Sequence, residues 1–505
     1  MNKFKYLGLF LLSLSIVSCE TTSELDEIPA VVIPNVQLET NGLDFSSYVS
    51  VGASFTAGYT DGAMFKAAQE NSFPNILAKK FGTDFKQPLM NDNIGGLVLG
   101  STVVQPPRFF FNGATPQRLP ATPTTQMTTV LSGPFNNYGA PGAKSFHLTF
   151  AGYGQLNPYF GRMASSPGAS VLGDAMAQSP TFFTLSEVGG NDVLGYALSG
   201  GSGVDQTGNF DPSTYGGNDI TDPNVFAQVL SGMVTALTSN GAKGVVANVP
   251  YITSLSNFTT VSYNAVPLDA GTAAQLNGAF AAYNGGLDQL LAAKNAGLLP
   301  AAVLPLLANF DADEVAKRKV TFQAGQNAVL IMDENLSNLT PINPGLASMR
   351  QATADDLILL ASSAILGTTV GGNPTLINGV SVPLADQWVL TPQEQAAIKT
   401  ATDSYNATIA AVASANPNVA LADLNAVLTE ASTGIMFDDY TMTTNLVTGG
   451  LISLDGVHLT ARGYALMANK ILAAIDAEFG SNFTTATDGL AKAGEYPTNY
   501  SPALR

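Results

Sequence analysis

The chain has one cysteine, two histidines and one tryptophan in 505 residues, and only 12% of its residues are charged. A single cysteine, Cys19, excludes an internal disulfide, even in an exported protein. With only His147 and His458 there is no His/Cys cluster to hold a metal, and the search for a general base is short. Basic residues are also scarce. Lys and Arg number 21 against 38 Asp and Glu, a net charge of −17, which argues against nucleic acid as a partner and against electrostatic adhesion to anionic lipid. Beyond the first residues, no run is long and apolar enough to be a transmembrane helix.

Apolar residues make up 46% of the chain, the composition of a globular protein with a sizeable core rather than a disordered one. Residues 1–18 read as a targeting segment. Lys3 and Lys5 form a positive start, Tyr6 to Val17 is apolar but too short to span a bilayer, and Ser18 precedes Cys19. Ile16-Val17-Ser18-Cys19 resembles a bacterial lipobox, which implies that Cys19 carries lipid and anchors the mature protein to a membrane of the cell envelope, with the outer membrane as the expected one. Residues 19–44 are polar and acidic and read as a flexible tether. The globular domain is expected over 45–483, followed by a C-terminal tail at 484–505.

Alternation of apolar strands and helices organises that domain. Strands are expected at Tyr48–Gly52, Thr181–Val188, Gly244–Val249 and Val419–Leu424, and helices at Met64–Phe81, Val225–Asn240, Thr272–Lys294, Thr391–Ala413 and Thr460–Phe479. Thr391-Pro392-Gln393-Glu394 has the chemistry of a capping box. Alternation of this kind is the pattern of a parallel sheet covered on both faces. Two excursions interrupt it, at 84–135 and 296–390. The second holds an expected strand at Ala328–Met332, a helix at Ala354–Leu366 and a hairpin at Leu376–Val382. Insertions of this size can form a cap over a site or merely elaborate the surface.

Four short segments carry chemistry. Val51-Gly52-Ala53-Ser54 ends a β-branched run in small residues and presents a hydroxyl at the carboxyl end of a strand. Asn137-Tyr138-Gly139 opens a tight turn, and Gly189-Gly190-Asn191-Asp192 ends an apolar strand. Asp455-Gly456-Val457-His458 places a carboxylate within reach of an imidazole, where it can fix the tautomer and stabilise the imidazolium. Gly139 offers a backbone N–H and Asn191 a side-chain amide to a developing oxyanion. His147 has no acid near it in sequence and reads as a packed or surface histidine. Gly216-Gly217-Asn218-Asp219 repeats the third segment but follows no apolar strand, and reads as surface loop.

In this order the four segments resemble the blocks of the SGNH (or GDSL) hydrolase family, over about residues 45 to 480. The resemblance implies a three-layer α/β/α flavodoxin-like sandwich with a mainly parallel five-stranded sheet and two large insertions. It implies Ser54 as nucleophile, His458 as base and Asp455 as orienting acid, with an oxyanion hole from the Ser54 and Gly139 amides and the Asn191 side chain. Neither metal nor cofactor is implied. Where the family has aspartate this chain has Ala53, and Phe55 replaces leucine, which puts local support of the serine loop in doubt rather than the chemistry. The expected activity is hydrolysis of carboxylic esters, of an acylated lipid or glycan among others, by a lipid-anchored serine esterase. A carbohydrate acetylesterase, or a non-catalytic envelope lipoprotein that kept the fold, remains open, as does the oligomeric state.

Overall fold

The computed structural model describes residues 35–505. Cys19, the targeting segment and most of the expected tether lie outside the described residues. Five parallel strands form one sheet: β1 (Tyr48–Gly52), β2 (Asn137–Gly139), β3 (Phe182–Leu185), β4 (Lys243–Ala247) and β5 (Val419–Ala422). Their spatial order is β5-β4-β3-β1-β2, so β1 lies between β3 and β2. The two neighbours pair both edges of β1, and helices, Ser54–Ala57 and Val171–Met176 among them, cover its faces. Tyr48, Val49 and Val51 are wholly buried, which is why β1 reads as a continuous rather than an alternating apolar run. Inside this core the hydroxyls of Tyr48, Thr184 and Ser50 are linked at 2.9 and 2.8 Å, so the buried polar atoms satisfy one another.

The longer helices, with the short one that follows β1, include α1 (Ser54–Ala57), α2 (Phe73–Phe81), α3 (Asn191–Leu198), α4 (Pro223–Thr238), α5 (Ala270–Asn295), α6 (Pro392–Ser414) and α7 (Ala461–Phe479). α7 packs against β5 and α2, while α4 packs against α6. The capping box opens α6 as expected: Thr391 donates its N–H and its hydroxyl to Glu394 Oε2 at 2.6 and 2.8 Å. The helix expected over Met64–Phe81 is broken into Lys66–Glu70 and α2, because Pro74 can start a helix but not continue one.

The second excursion differs from its expectation in two ways. Ala354–Leu366 is not a helix: Leu357–Ile358 pairs with Val389–Leu390, and only a 3-10 turn follows at Leu360–Ala364. Its apolar residues serve a short strand edge and a turn, a pattern that helical spacing imitates. The ribbon expected at Leu376–Val382 pairs instead with Thr369–Val370 through Asn373–Ile377. A separate apolar cluster (Phe280, Tyr283 and Leu287 of α5 with Leu307, Phe310 and Leu330) fills this part of the chain. α5 therefore serves the insertion's core and not the central sheet's.

Neither terminus is loose where it is described. Val36 and Glu39 donate their N–H groups to Thr487 and Asn482, and Leu43 is buried in the main core. The described part of the expected tether thus contacts the domain at Val36, Glu39 and Leu43. The segment after 483 is equally tied: Tyr496 and Tyr500 are buried, and the Arg108 guanidinium donates to the carbonyls of Tyr500, Ser501 and Leu504.

Candidate active site

β1 stops at Gly52 because the chain turns there onto α1, and Ser54 is the first residue of that helix. The turn is tight on all sides. A Cβ at Gly52 would stand 2.2 Å from Thr56 Oγ1 and 2.5 Å from the Ser186 carbonyl, and one at Gly139 would stand 2.2 Å from the Ala57 nitrogen. Glycine at both positions lets β2 and the end of β3 close on α1.

Position 53 supplies no side-chain cap to this helix. Glu187, two residues past the end of β3, supplies one. Its Oε2 accepts from Ala53 N at 2.9 Å, from Thr56 N at 2.9 Å and from Thr56 Oγ1 at 3.0 Å, and its Oε1 accepts from Phe55 N. Burial raises the Glu187 carboxyl above its ordinary value, and these four donors act in the opposite direction. Glu187 reaches the turn from a left-handed backbone, φ 63°, a conformation that costs a non-glycine residue on the order of 1 kcal/mol. Sequence reading did not single out Glu187. Its only signal was an acid interrupting an otherwise apolar strand end.

His458 and Asp455 sit together in the loop before α7. Asp455 Oδ2 lies 2.9 Å from His458 Nδ1, and Oδ1 accepts the backbone N–H of Val457 and His458 at 2.9 and 2.8 Å. Burial works against the Asp455 charge, but the imidazole and these donors outweigh it and hold the carboxyl well below the usual carboxylate range. The loop is laced to the segment that follows α1. Gly62 N donates to Asp455 Oδ2 at 2.7 Å, Leu454 N to Asp61 Oδ1 at 3.0 Å, and Thr60 Oγ1 to the Leu459 carbonyl at 2.8 Å.

The imidazole of His458 rests against Phe55 and Tyr59, with ring centres 5.7 and 4.6 Å away. These residues are four apart, just C-terminal to Ser54. The Ser54 hydroxyl makes no hydrogen bond among the described residues, and the pair meets the segment that carries the serine through the rings of Phe55 and Tyr59; catalytic hydrogen bonds often close only when substrate binds.

The expected oxyanion donors divide. The Gly139 N–H is spent within the fold, donating to Asn137 Oδ1 at 2.9 Å while Asn137 Nδ2 donates to the Thr56 carbonyl, so this buried amide is not available to a substrate. Further along the same turn, Ala140 N donates to Gly52 and Ala143 N to Ala140, and Pro141 has no N–H. That leaves the amide of Gly142, exposed and at φ 79°, without an acceptor among the described residues. Asn191 opens α3 and donates one of its two amide hydrogens to the Ala143 carbonyl at 2.9 Å; the other remains. Asp192 holds the same turn from below through the N–H and hydroxyl of Ser145.

Two hollows flank this arrangement. Ser54, Phe55, Glu187 and Asn191 line a cavity together with Asn248 and a mostly apolar remainder, Leu194, Ile252, Val427, Leu428 and Met467 among it. The space within it that a water-sized sphere can enter is about 100 Å³. A second cleft is lined by Phe109 and Pro116 of the first excursion, Leu360 and Leu366 of the second, Val261 and Leu276 from the segment before it, and Leu454 and Asp455.

His147 is packed, as expected: its ring stacks on Tyr153 at 4.8 Å, Nδ1 accepts the Lys144 N–H, and burial pushes it down to about 4. In the second Gly-Gly-Asn-Asp segment, Asp219 is occupied with Val204, Gln206 and Gly216 of its own loop. Among the described residues, one group of carboxylates lies close enough to share a cation, Glu334, Asp386 and Glu394, with ligand oxygens within 4.8 Å of one another. Burial pushes Asp386 up to about 8 and Glu394 up to about 7, so shared protons can satisfy this trio.

Comparison with known proteins returns no matching family model, no matching curated protein and no matching solved structure.

Proposed function

We propose that the chain is a carboxylic-ester hydrolase of the SGNH type, and that its fold is a three-layer α/β/α sandwich. The strand order 2-1-3-4-5 supports that fold, because it is the order of flavodoxin-like sheets, whose ligands sit beyond the carboxyl ends of the strands. The observation that carries the function is the Asp455–His458 pair, bonded at 2.9 Å and resting on the residues that follow Ser54.

In the reaction, Ser54 Oγ attacks the ester carbonyl while His458 Nε2 takes its proton. Asp455, bonded to Nδ1, stabilises the imidazolium. The tetrahedral oxyanion is held by the Ser54 amide and the free Asn191 hydrogen, and the unpaired Gly142 amide takes the part first expected of Gly139. His458 then protonates the leaving alcohol, which departs as the acyl–Ser54 ester forms. Water, deprotonated by His458, releases the carboxylate and restores the serine. None of these steps calls on a metal or cofactor.

The apolar cavity beside Ser54 favours an acyl chain over an acetylated sugar, since sugar hydroxyls there would lose their hydrogen bonds to water. The excursions, which share the lining of the second cleft with residues 257–276, act as the cap. The address that completes this reading is an envelope membrane, reached through lipid on Cys19 in the sense that the lipobox resemblance implies. The test is turnover of short- and long-chain nitrophenyl esters by the chain lacking its targeting segment, beside Ser54→Ala. Equal activity in the two would reject the serine mechanism, and no activity on any ester or acetylated glycan would favour a binding protein that kept the fold.

A further inference from the structure

The geometry points to Glu187 as a positioning residue that supports the serine turn in place of a side chain at position 53, and that leaves the Ser54 amide as the one unpaired donor of that turn. The inference rests on the reading of Ser54 as nucleophile. The turn has four backbone donors at its start, on residues 53, 54, 55 and 56. Glu187 takes the first, third and fourth, and takes the Thr56 hydroxyl as well. Ser54 N has no acceptor among the described residues.

Three features show a built cradle. Ala53, 2% exposed, has no polar side-chain atom to compete for these amides. Gly52 leaves the space, since a Cβ there would stand 3.1 Å from Glu187 Oε2 and closer still to Thr56 Oγ1. Glu187 holds a left-handed backbone, and Gly190 N donates to its carbonyl at 2.9 Å, so the same residue that supports the serine also fixes the start of the Asn191 turn.

The carboxylate thus joins two oxyanion donors, the Ser54 amide on one side and the Asn191 side chain on the other, without touching substrate. Two acceptor oxygens are needed. A glutamine keeps one and turns the other into a donor facing at least one backbone N–H. The aim of the three bonded amides is then lost, and with it the alignment of the fourth.

The experiment compares Glu187→Gln, Glu187→Ala and the double variant Ala53→Asp/Glu187→Ala with the parent on a nitrophenyl ester, reading kcat and KM separately. Misalignment of one oxyanion donor lowers kcat by about 10- to 100-fold with KM within about twofold, a smaller effect than removing a donor outright. In the double variant, Asp at 53 can accept from the Phe55 or Thr56 amide as an N-cap does, and kcat should recover above that of Glu187→Ala. A folded Glu187→Gln enzyme with parental kcat overturns the inference, and so does a double variant no better than Glu187→Ala. An inactive parent, or an active Ser54→Ala, overturns the serine mechanism and this inference together. An active parent with a silent Glu187→Gln overturns this inference alone.

Discussion

Asp61 accepts the Leu454 N–H at 3.0 Å and so ties the turn after the serine helix to the loop that carries Asp455 and His458. Asp61 is 1% exposed, and burial, with the Asp455 charge adding to it, pushes its carboxyl up to about 7 against the Leu454 bond. An acid with a raised folded-state pKa holds a proton that the unfolded chain has released. Its contribution to stability is therefore full below about pH 4 and is lost as pH rises to about 7. We expect Asp61→Asn to flatten that part of the stability profile, by up to a few kcal/mol between pH 4 and 7. Asparagine tolerates the φ of 52° found there and keeps the acceptor for Leu454. Urea unfolding at pH 5 and pH 7 decides it: an unchanged difference between the two pH values in the variant removes Asp61 as the cause.

Asp455 lies at the opposite extreme, held ionised by its imidazole partner and its backbone donors. Its charge contributes stability above the unfolded aspartate value of about 3.9 and is lost only as pH falls through its depressed folded value. Over the working range it does not titrate, so it adds no acidic limb to a pH profile of kcat/KM. Asp455→Asn should lower kcat by about 10³- to 10⁴-fold, because the amide favours the wrong imidazole tautomer. A loss below tenfold on a nitrophenyl ester would show that the carboxylate does not orient the base.

The second excursion has its own electrostatic fixture. Arg350 donates from Nε to Asp333 at 2.5 Å and from both terminal nitrogens to Asp356 at 2.7 Å, and all three residues are buried. Removing the cation leaves two buried carboxylates with only neutral donors, Asn335 N on Asp333 and Thr353 on Asp356, and no opposite charge. Arg350→Met should therefore cost about 3–5 kcal/mol, read as a fall in the thermal midpoint. Recovery of most of that loss in Arg350→Met/Asp333→Leu/Asp356→Leu would confirm that the stranded charges are the cause; a single variant within 1 kcal/mol of the parent would show the pairs to be solvated.

What could be read from the sequence follows from locality. The strands β1, β3, β4 and β5 and the capped helix α6 declare themselves through short apolar runs and end chemistry within a few residues. Asp455 and His458 are three apart, so their pairing was legible too. Glu187 was not, because its partners at 53, 55 and 56 lie more than 130 residues away and only the parallel pairing of β1 with β3 brings them together. Gly139 misled for a similar reason: nothing in Asn137-Tyr138-Gly139 says that the asparagine side chain will consume the glycine amide, or that the free amide lies three residues on. In the second excursion, tertiary pairing of Leu357–Ile358 with Val389–Leu390 overrode a helical spacing of apolar residues.

The cavity beside Ser54 makes chain length the property most open to redesign. Leu194 of α3 and Val427 face it from opposite elements, and both are only half-buried, so a larger side chain at either can be accommodated without rebuilding the core. Leu194→Trp or Val427→Trp should shorten the space for acyl carbons while leaving the Asp455–His458 pair untouched. Each methylene denied its pocket costs about 1–3 kcal/mol of transition-state binding, so the octanoate-to-acetate ratio of kcat/KM should fall at least tenfold in either variant, with acetate turnover within about threefold of the parent. Parallel kinetics on nitrophenyl acetate, butyrate and octanoate read this directly. A ratio unchanged in both variants would place the acyl chain elsewhere, and the cleft based on Leu454 and Asp455 would be the next wall to block.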